Sequence, residues 1–250
     1  EFIKMLKKLL LITFLVLMNK AVFTETIYVS NEKDHNITVI DGESLEVIKT
    51  VNVGHRPRGI ILSKDKKKII ICTSDDNRIT VVDANSLEVE FYLPSGPDPE
   101  LMVMDDAGKF IYVANEDDNM VTVVDYIERK VVKEIPVGVE PEGMGLSPDG
   151  KTLVNTSETT NMAHFIDTST LEIKANVLVD ARPRVAQYTA DGKFVWVSAE
   201  IGGTGNSGIL GSELDGGRAV TKVDWTGYQF TADGTGATGT VSGGGSALRA

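Results

Sequence analysis

The chain has 250 residues, 42% of them hydrophobic and 24% charged, and its formal net charge is -11. That charge argues against nucleic acid, whose binding rests on neutralising phosphates with Lys and Arg, and against an anionic lipid surface. A single cysteine, Cys72, excludes an intramolecular disulfide and a Cys-based metal site.

In chain order, the first feature is a leader-like segment. Met5 is followed by Lys7 and Lys8 and then by LLLITFLVLM at residues 9–18. A basic start before a short apolar run reads as a secretory signal, and the run is shorter than the roughly 20 apolar residues a membrane span needs. Residues 1–24 are therefore expected to be pre-sequence and signal peptide, the alternative being a retained anchor. The cleavage site itself is poorly marked, with only Ala21 or Thr24 on offer.

From residue 27 onward one phrase recurs. ITVID, ITVVD, VTVVD and AHFID end at Asp41, Asp83, Asp125 and Asp167, each 42 residues after the last. Pro57, Pro99, Pro141 and Pro183 keep the same step, as do Ile27, Ile69, Ile111, Leu153 and Val195. Such a period marks a repeat architecture. In the copy running from residue 143, apolar runs at 143–147, 152–156, 163–167 and 173–179 are separated by turn residues, among them the hairpin signal Asp149-Gly150. Val, Ile and Thr dominate and nothing carries a helical period. Four strands every 42 residues predict an all-β fold, a β-propeller of four-stranded blades. The inner strand A should follow each Pro, B should be IYVAN, C VTVVD and D KVVKEIPV. On that phasing the chain opens on strand B of the first blade.

The phrases IYVSNEKDHNITVID, SGPDPE, VANEDDNMVTVVD, VGVEPEGMGLSPDGK and NTSETTNMAHFIDT resemble the YVTN-repeat β-propellers. More narrowly, they resemble the subgroup associated with catabolism dependent on pyrroloquinoline quinone. The resemblance spans residues 27 to about 204. It implies a secreted, periplasmic, seven-bladed propeller linked to quinoprotein alcohol oxidation and to transport systems, without catalysis of its own. It implies a functional association with pyrroloquinoline quinone and no bound cofactor. The implied partner is a quinoprotein dehydrogenase or a transport component, or a small ligand. Seven such blades need about 294 residues, so the repeat looks truncated at about four to five. The propeller blades are assigned to residues 25–204. Residues 205–250 are a Gly-rich tail, either a degenerate fifth blade with a sixth beginning near Trp225, or foreign sequence. Gln229-Phe230-Thr231-Ala232-Asp233-Gly234 echoes Gln187-Tyr188-Thr189-Ala190-Asp191-Gly192 at the 42-residue step.

Strand alternation puts the B–C and D–A loops on one face. The D–A loops carry charge around each Pro: Arg56 and Arg58, Asp98 and Glu100, Glu140 and Glu142, Arg182 and Arg184. The B–C loops include the acidic quartet Glu116, Asp117, Asp118 and Asn119. These twelve residues form the candidate binding rim. Its two readings are a charged mouth that receives a ligand or partner, and exposed pairing between blades, Arg58 with Glu100 and Arg184 with Glu142. Exposed pairs of that kind contribute only about 0–1 kcal/mol each.

No metal site is predicted. The quartet lacks the calcium-loop pattern and its glycine, and His35, His55 and His164 show no convergent spacing. Cys72 shares a column with Ser30, Ala114, Thr156 and Ser198 and reads as a packed small residue. No nucleophile elbow, phosphate loop or haem-attachment motif occurs. The leading expectation is a non-enzymatic binding or scaffold propeller. The alternatives are a propeller enzyme such as a lactonase, which needs His, Arg and Glu converging on the channel, and a cell-surface adhesive repeat protein.

Overall fold

The computed structural model describes residues 25–201 and the strand segments 212–214, 218–224, 229–230 and 237–238. Residues 1–24, the segment expected to be a signal, and most of the tail lie outside the described residues. The first sheet is three-stranded: β1 (Thr26–Asn31), β2 (Asn36–Asp41) and β3 (Val47–Asn52). The second holds β4 (Pro57–Leu62), β5 (Lys68–Thr73), β6 (Arg78–Asp83) and β7 (Val89–Pro94). The third holds β8 (Pro99–Met104), β9 (Phe110–Asn115), β10 (Met120–Asp125) and β11 (Lys130–Pro136). The fourth holds β12 (Pro141–Leu146), β13 (Thr152–Ser157), β14 (Met162–Asp167) and β15 (Glu172–Leu178). Each is an antiparallel meander, and in the second, third and fourth sheets the strand after Pro lies at one edge, as the period predicts. Together they form part of a β-propeller. A single 3-10 turn at Ser74–Asp76 is the sole helical segment among the described residues.

The recurring aspartates are turn residues. Oδ1 of Asp41, Asp83, Asp125 and Asp167 each accepts two backbone N–H groups from the residues two and three positions on. The residue four places after each Asp, Leu45, Leu87, Arg129 or Leu171, then takes a left-handed φ of 54–60° one or two residues before the outer strand begins. A side-chain oxygen that mimics a backbone turn is the usual reason for Asp at such a position. These turns lie against the neighbouring A–B turns, as where Tyr126 N–H donates to Lys109 O.

A fifth sheet follows the order β16 (Ala181–Tyr188), β17 (Phe194–Ile201), β19 (Arg218–Asp224), β18 (Ser212–Leu214). The sequence offers no third strand where the period asks for one, at residues 205–210. The backbone register supplies it further on, as RAVTKVD. Asp224 pairs with Phe194 as Asp167 pairs with Thr152 and Asp125 with Phe110. The outer strand β18 precedes β19 in the chain, the reverse of the order in the other sheets. β20 (Gln229–Phe230) and β21 (Ala237–Thr238) form a separate ribbon.

Between sheets the core is aliphatic. One cluster joins Ile70, Ile79 and Leu93 of the second sheet to Met102, Ile111 and Val113 of the third. Others join the third to the fourth and the fourth to the fifth, where Phe165 is fully buried. Each such buried side chain contributes about 1.5–3 kcal/mol. Cys72 is fully buried in this packing, as its column predicts, and burial pushes its thiol pKa up. The inner strands approach one another closely. A Cβ on Gly59 would lie 2.5 Å from Glu100 O, and one on Gly143 would lie 2.8 Å from Arg184 O. Glycine at these places lets β4 press on β8 and β12 on β16, which brings the charged starts of those strands together.

Candidate functional site

The site is the rim where the B–C and D–A loops meet. Its backbone is fixed by one repeated contact. Asn77, Asn119 and Asn161 end successive B–C loops with left-handed φ of 53–60°. Their side-chain oxygens accept the N–H of Asp98, Glu140 and Arg182 respectively, at 3.0–3.1 Å. In the first loop His35 takes the Asn role: its φ is 59° and its Nδ1 accepts Arg56 N–H at 3.0 Å. The residues so held, Arg56, Asp98, Glu140 and Arg182, are themselves left-handed, with φ of 48–58°, and each precedes Pro. A left-handed non-glycine before Pro is uncommon, so the captured N–H offsets a conformational cost of about 1–2 kcal/mol. The result aims the side chains of two columns at the mouth.

All four candidate arginines are ion-paired. Arg56 Nη1 bonds both carboxylate oxygens of Asp98, at 2.9 and 3.0 Å, and its Nε donates to Glu32 at 3.1 Å. Arg58 lies against Glu100 Oε2, and its Nη2 also reaches Glu142 Oε1 at 3.2 Å. Arg184 pairs with Glu142 at 2.6 Å, Glu158 at 2.6 Å and Glu200 at 2.7 Å. Arg182 joins Glu158 and Glu200. Arg58–Glu100 and Arg184–Glu142 are the inter-blade pairs the sequence suggests, but they are not exposed. Glu100 is completely buried and Glu142 is 7% exposed. The sequence gives no depth for a rim column; Gly59 and Gly143, by letting the inner strands close up, create it.

The acidic quartet divides. Asp117 is exposed, and Asn119 is the backbone clamp described above. Asp118 is half-buried beside Gly96, and burial raises its pKa. Its counterpart Asp76 accepts His55 N–H at 3.0 Å, but the third sheet has Pro97 in place of His55 and so no N–H to give. Asp118 Oδ1 is left without a hydrogen-bond partner. Glu116 turns inward, so that oxygens of Asp98, Glu100 and Glu116 lie within 4.8 Å of one another. Burial raises the pKa of Glu116. Burial also pushes Glu100 up to about 8, with Glu142, Asp98 and Glu116 adding to the rise against the opposing pull of Arg58.

Glu32, Glu158 and Glu200 belong to the rim although the candidate set omits them. They are the counterparts of Glu116 in the repeat, so the 42-residue column was the signal that could have found them. Burial and the hydrogen bond from Glu142 push Glu158 up to about 8, against Arg184 and Arg182. The histidines do not converge with this network. His35 and His55 stack edge to face at 5.2 Å, His55 Nδ1 pairing with Asp76 at 2.8 Å. His164 is buried in β14, between Asn176 at 2.7 Å and Ser157 at 3.1 Å, and burial lowers its pKa. The His, Arg and Glu convergence a lactonase needs is therefore not made by the described residues. At the opposite end of the inner strands is a cavity of about 410 Å³ whose lining is mixed, with Leu62, Met104 and Met144 beside Lys64, Asp106 and Gln187.

The fold and the site define a β-propeller with an ion-paired mouth. The profile of the family described as "Cytochrome D1 heme domain" matches residues 70–197, just over half of the chain. The chain belongs to that family. Among solved structures it is similar to hydrazine synthase of Kuenenia stuttgartiensis, at 24% identity and a TM-score of 0.69. The likeness covers 80% of this chain and 60% of that one, so the chain spans less than two thirds of that structural neighbour. No match to the sequence is found among curated proteins. Among the described residues no helix is long and apolar enough to cross a membrane.

Proposed function

We propose that this chain is a binding propeller whose rim receives a cationic partner or ligand. One observation carries the reading. The four rim arginines are shared among seven carboxylates, those of Glu32, Asp75, Asp98, Glu100, Glu142, Glu158 and Glu200. Glu116, Asp117 and Glu140 add further carboxylates for which no ion pair exists among the described residues. A rim whose positive charge is used up internally, and whose surplus is negative, favours positive charge in a partner and repels anions.

The resemblance to propellers associated with pyrroloquinoline quinone-dependent catabolism supports a periplasmic setting. It also supports a quinoprotein dehydrogenase or a transport component as the partner. The test is capture of a purified quinoprotein alcohol dehydrogenase on the immobilised protein. Wild type should retain it and the rim reversal Glu140→Lys should not. Glu43→Lys, with the same change in net charge at the opposite face, should behave as wild type. Equal capture by all three would overturn the reading.

Family membership raises a second reading, haem binding. The described residues do not fit a haem at this mouth. A macrocycle needs apolar faces and an axial ligand, whereas the inner positions Arg58, Glu100, Glu142 and Arg184 are filled by ion pairs. The rim histidines, His35 and His55, stand in the first B–C loop and in the loop before β4 and not on the inner strands.

A further inference from the structure

Two pairs of carboxyl groups meet at the mouth. Glu116 lies against Glu100 in the third sheet. Glu158 is hydrogen-bonded to Glu142 in the fourth, at the positions 42 residues on. Charged groups approach both buried pairs from several elements, and the buried Cys72 lies near Glu100. Glu100 faces Arg56 and Arg58 from the second sheet, Asp98 on its own loop, and Glu142 across the sheet boundary. Glu142 receives Arg58 from one side and Arg184 from the other. Glu158 faces Arg182 and Arg184, which Glu200 shares. Glu140 adds its charge near Glu116.

Two carboxyl groups in one site hinder each other's ionisation, and a proton that one of them keeps belongs to the pair. Here the two pairs also flank the only bridge that spans more than one sheet boundary in this network. Arg58, from the second sheet, reaches Glu142 in the fourth, where Arg184 of the fifth joins it. We propose that the mouth is a proton-operated latch. Each carboxyl pair holds one shared proton, those two protons let Arg58 and Arg184 close the bridge through Glu142, and their loss to bulk base opens it.

With both pairs ionised, the network gains two buried negative charges and no cation. Burial, reinforced in each case by neighbouring carboxylates, already pushes Glu100 and Glu158 up to about 8, so the release falls in the mildly alkaline range. The latch stands on these contacts and does not depend on what the rim binds.

NMR of isotope-labelled glutamate carboxyls in the full chain tests it, together with amide hydrogen exchange corrected for intrinsic rate. Two glutamates should titrate near pH 8, well above the usual carboxylate range of about 4–5. Exchange at the amides of 56, 58, 140 and 142 should rise over the same interval. The paired substitution Glu100→Gln with Glu158→Gln, which fixes the neutral form, should keep that exchange slow throughout. The latch is overturned if every glutamate titrates in the ordinary range, or if rim exchange is flat with pH. It is equally overturned if the glutamine variant opens as wild type does. Should that variant not fold, the wild-type titration decides alone.

Discussion

Arg58 Nη2 lies 3.2 Å from Glu142 Oε1 although 84 positions separate the two residues. The same guanidinium lies against the fully buried Glu100 on the way. One side chain thus ties three consecutive sheets at the mouth, and its removal would leave the buried Glu100 with only the longer contact to Arg56. Arg58→Ala should cost about 3–5 kcal/mol in urea unfolding, the penalty for breaking a buried pair. Arg58→Met combined with Glu100→Gln should recover most of that loss, because neither charge is then stranded. A cost near 1 kcal/mol for Arg58→Ala, the value of an exposed pair, would place Glu100 in solvent.

Asn119 offers a cleaner backbone test. Its φ is 60° and its side-chain oxygen accepts Glu140 N–H at 3.1 Å. Asn119→Ala should cost about 1–3 kcal/mol, combining left-handed strain with a lost acceptor. Asn119→Gly, which keeps the conformation, should cost about 1 kcal/mol. His35 does the same work, so His35→Asn should leave stability within about 0.5 kcal/mol of wild type. Unfolding curves in urea decide all three.

Stability should peak on the acid side of neutrality. Lys68 and the turn N–H groups hold Asp83 well below its ordinary 3.8, and Lys174 and Ser169 do so for Asp167. Their contribution is complete above 3.8 and is lost as pH falls further. Glu100 and Glu158 act in the opposite sense. Raised from 4.5 to about 8, they bind more protons when folded, so stability is full below 4.5 and declines as pH climbs to about 8. His164, lowered below 6.5 by burial, opposes this decline as a single group. The Tm measured against pH should be highest at about pH 4–5. A maximum at about pH 7 would contradict the buried carboxyl pairs.

Haem added to the purified protein should produce no saturable change in its Soret absorbance. A one-to-one shift that Arg58→Ala or Arg184→Ala abolishes would show that the ion pairs yield to a macrocycle and that the rim reading is incomplete.

Much of this was legible in the sequence because the repeat is unbroken through the fourth sheet. The 42-residue columns located the strands, the shared face and the pairing of Arg58 with Glu100. The same columns held the Asn clamp, since Asn77, Asn119 and Asn161 are equivalent, yet a left-handed backbone leaves no mark in hydrophobic pattern. Burial of Glu100 was not legible, because it follows from Gly59 meeting the next inner strand at close range. The third strand of the fifth sheet escaped because Asp224 stands 15 residues beyond the position the period assigns it.

On the proposed function, the rim's surplus carboxylates, and not net charge alone, receive a cation. Isothermal titration with hexalysine against three proteins measures this directly. Asp117→Asn with Glu140→Gln should weaken binding about tenfold, the factor that about 1.4 kcal/mol of lost attraction gives. Glu43→Gln with Glu128→Gln, neutralising two exposed turn residues on the other face, should leave it unchanged. Equal weakening in both variants would mean that hexalysine senses only the total charge, and the rim would lose its claim to be the site.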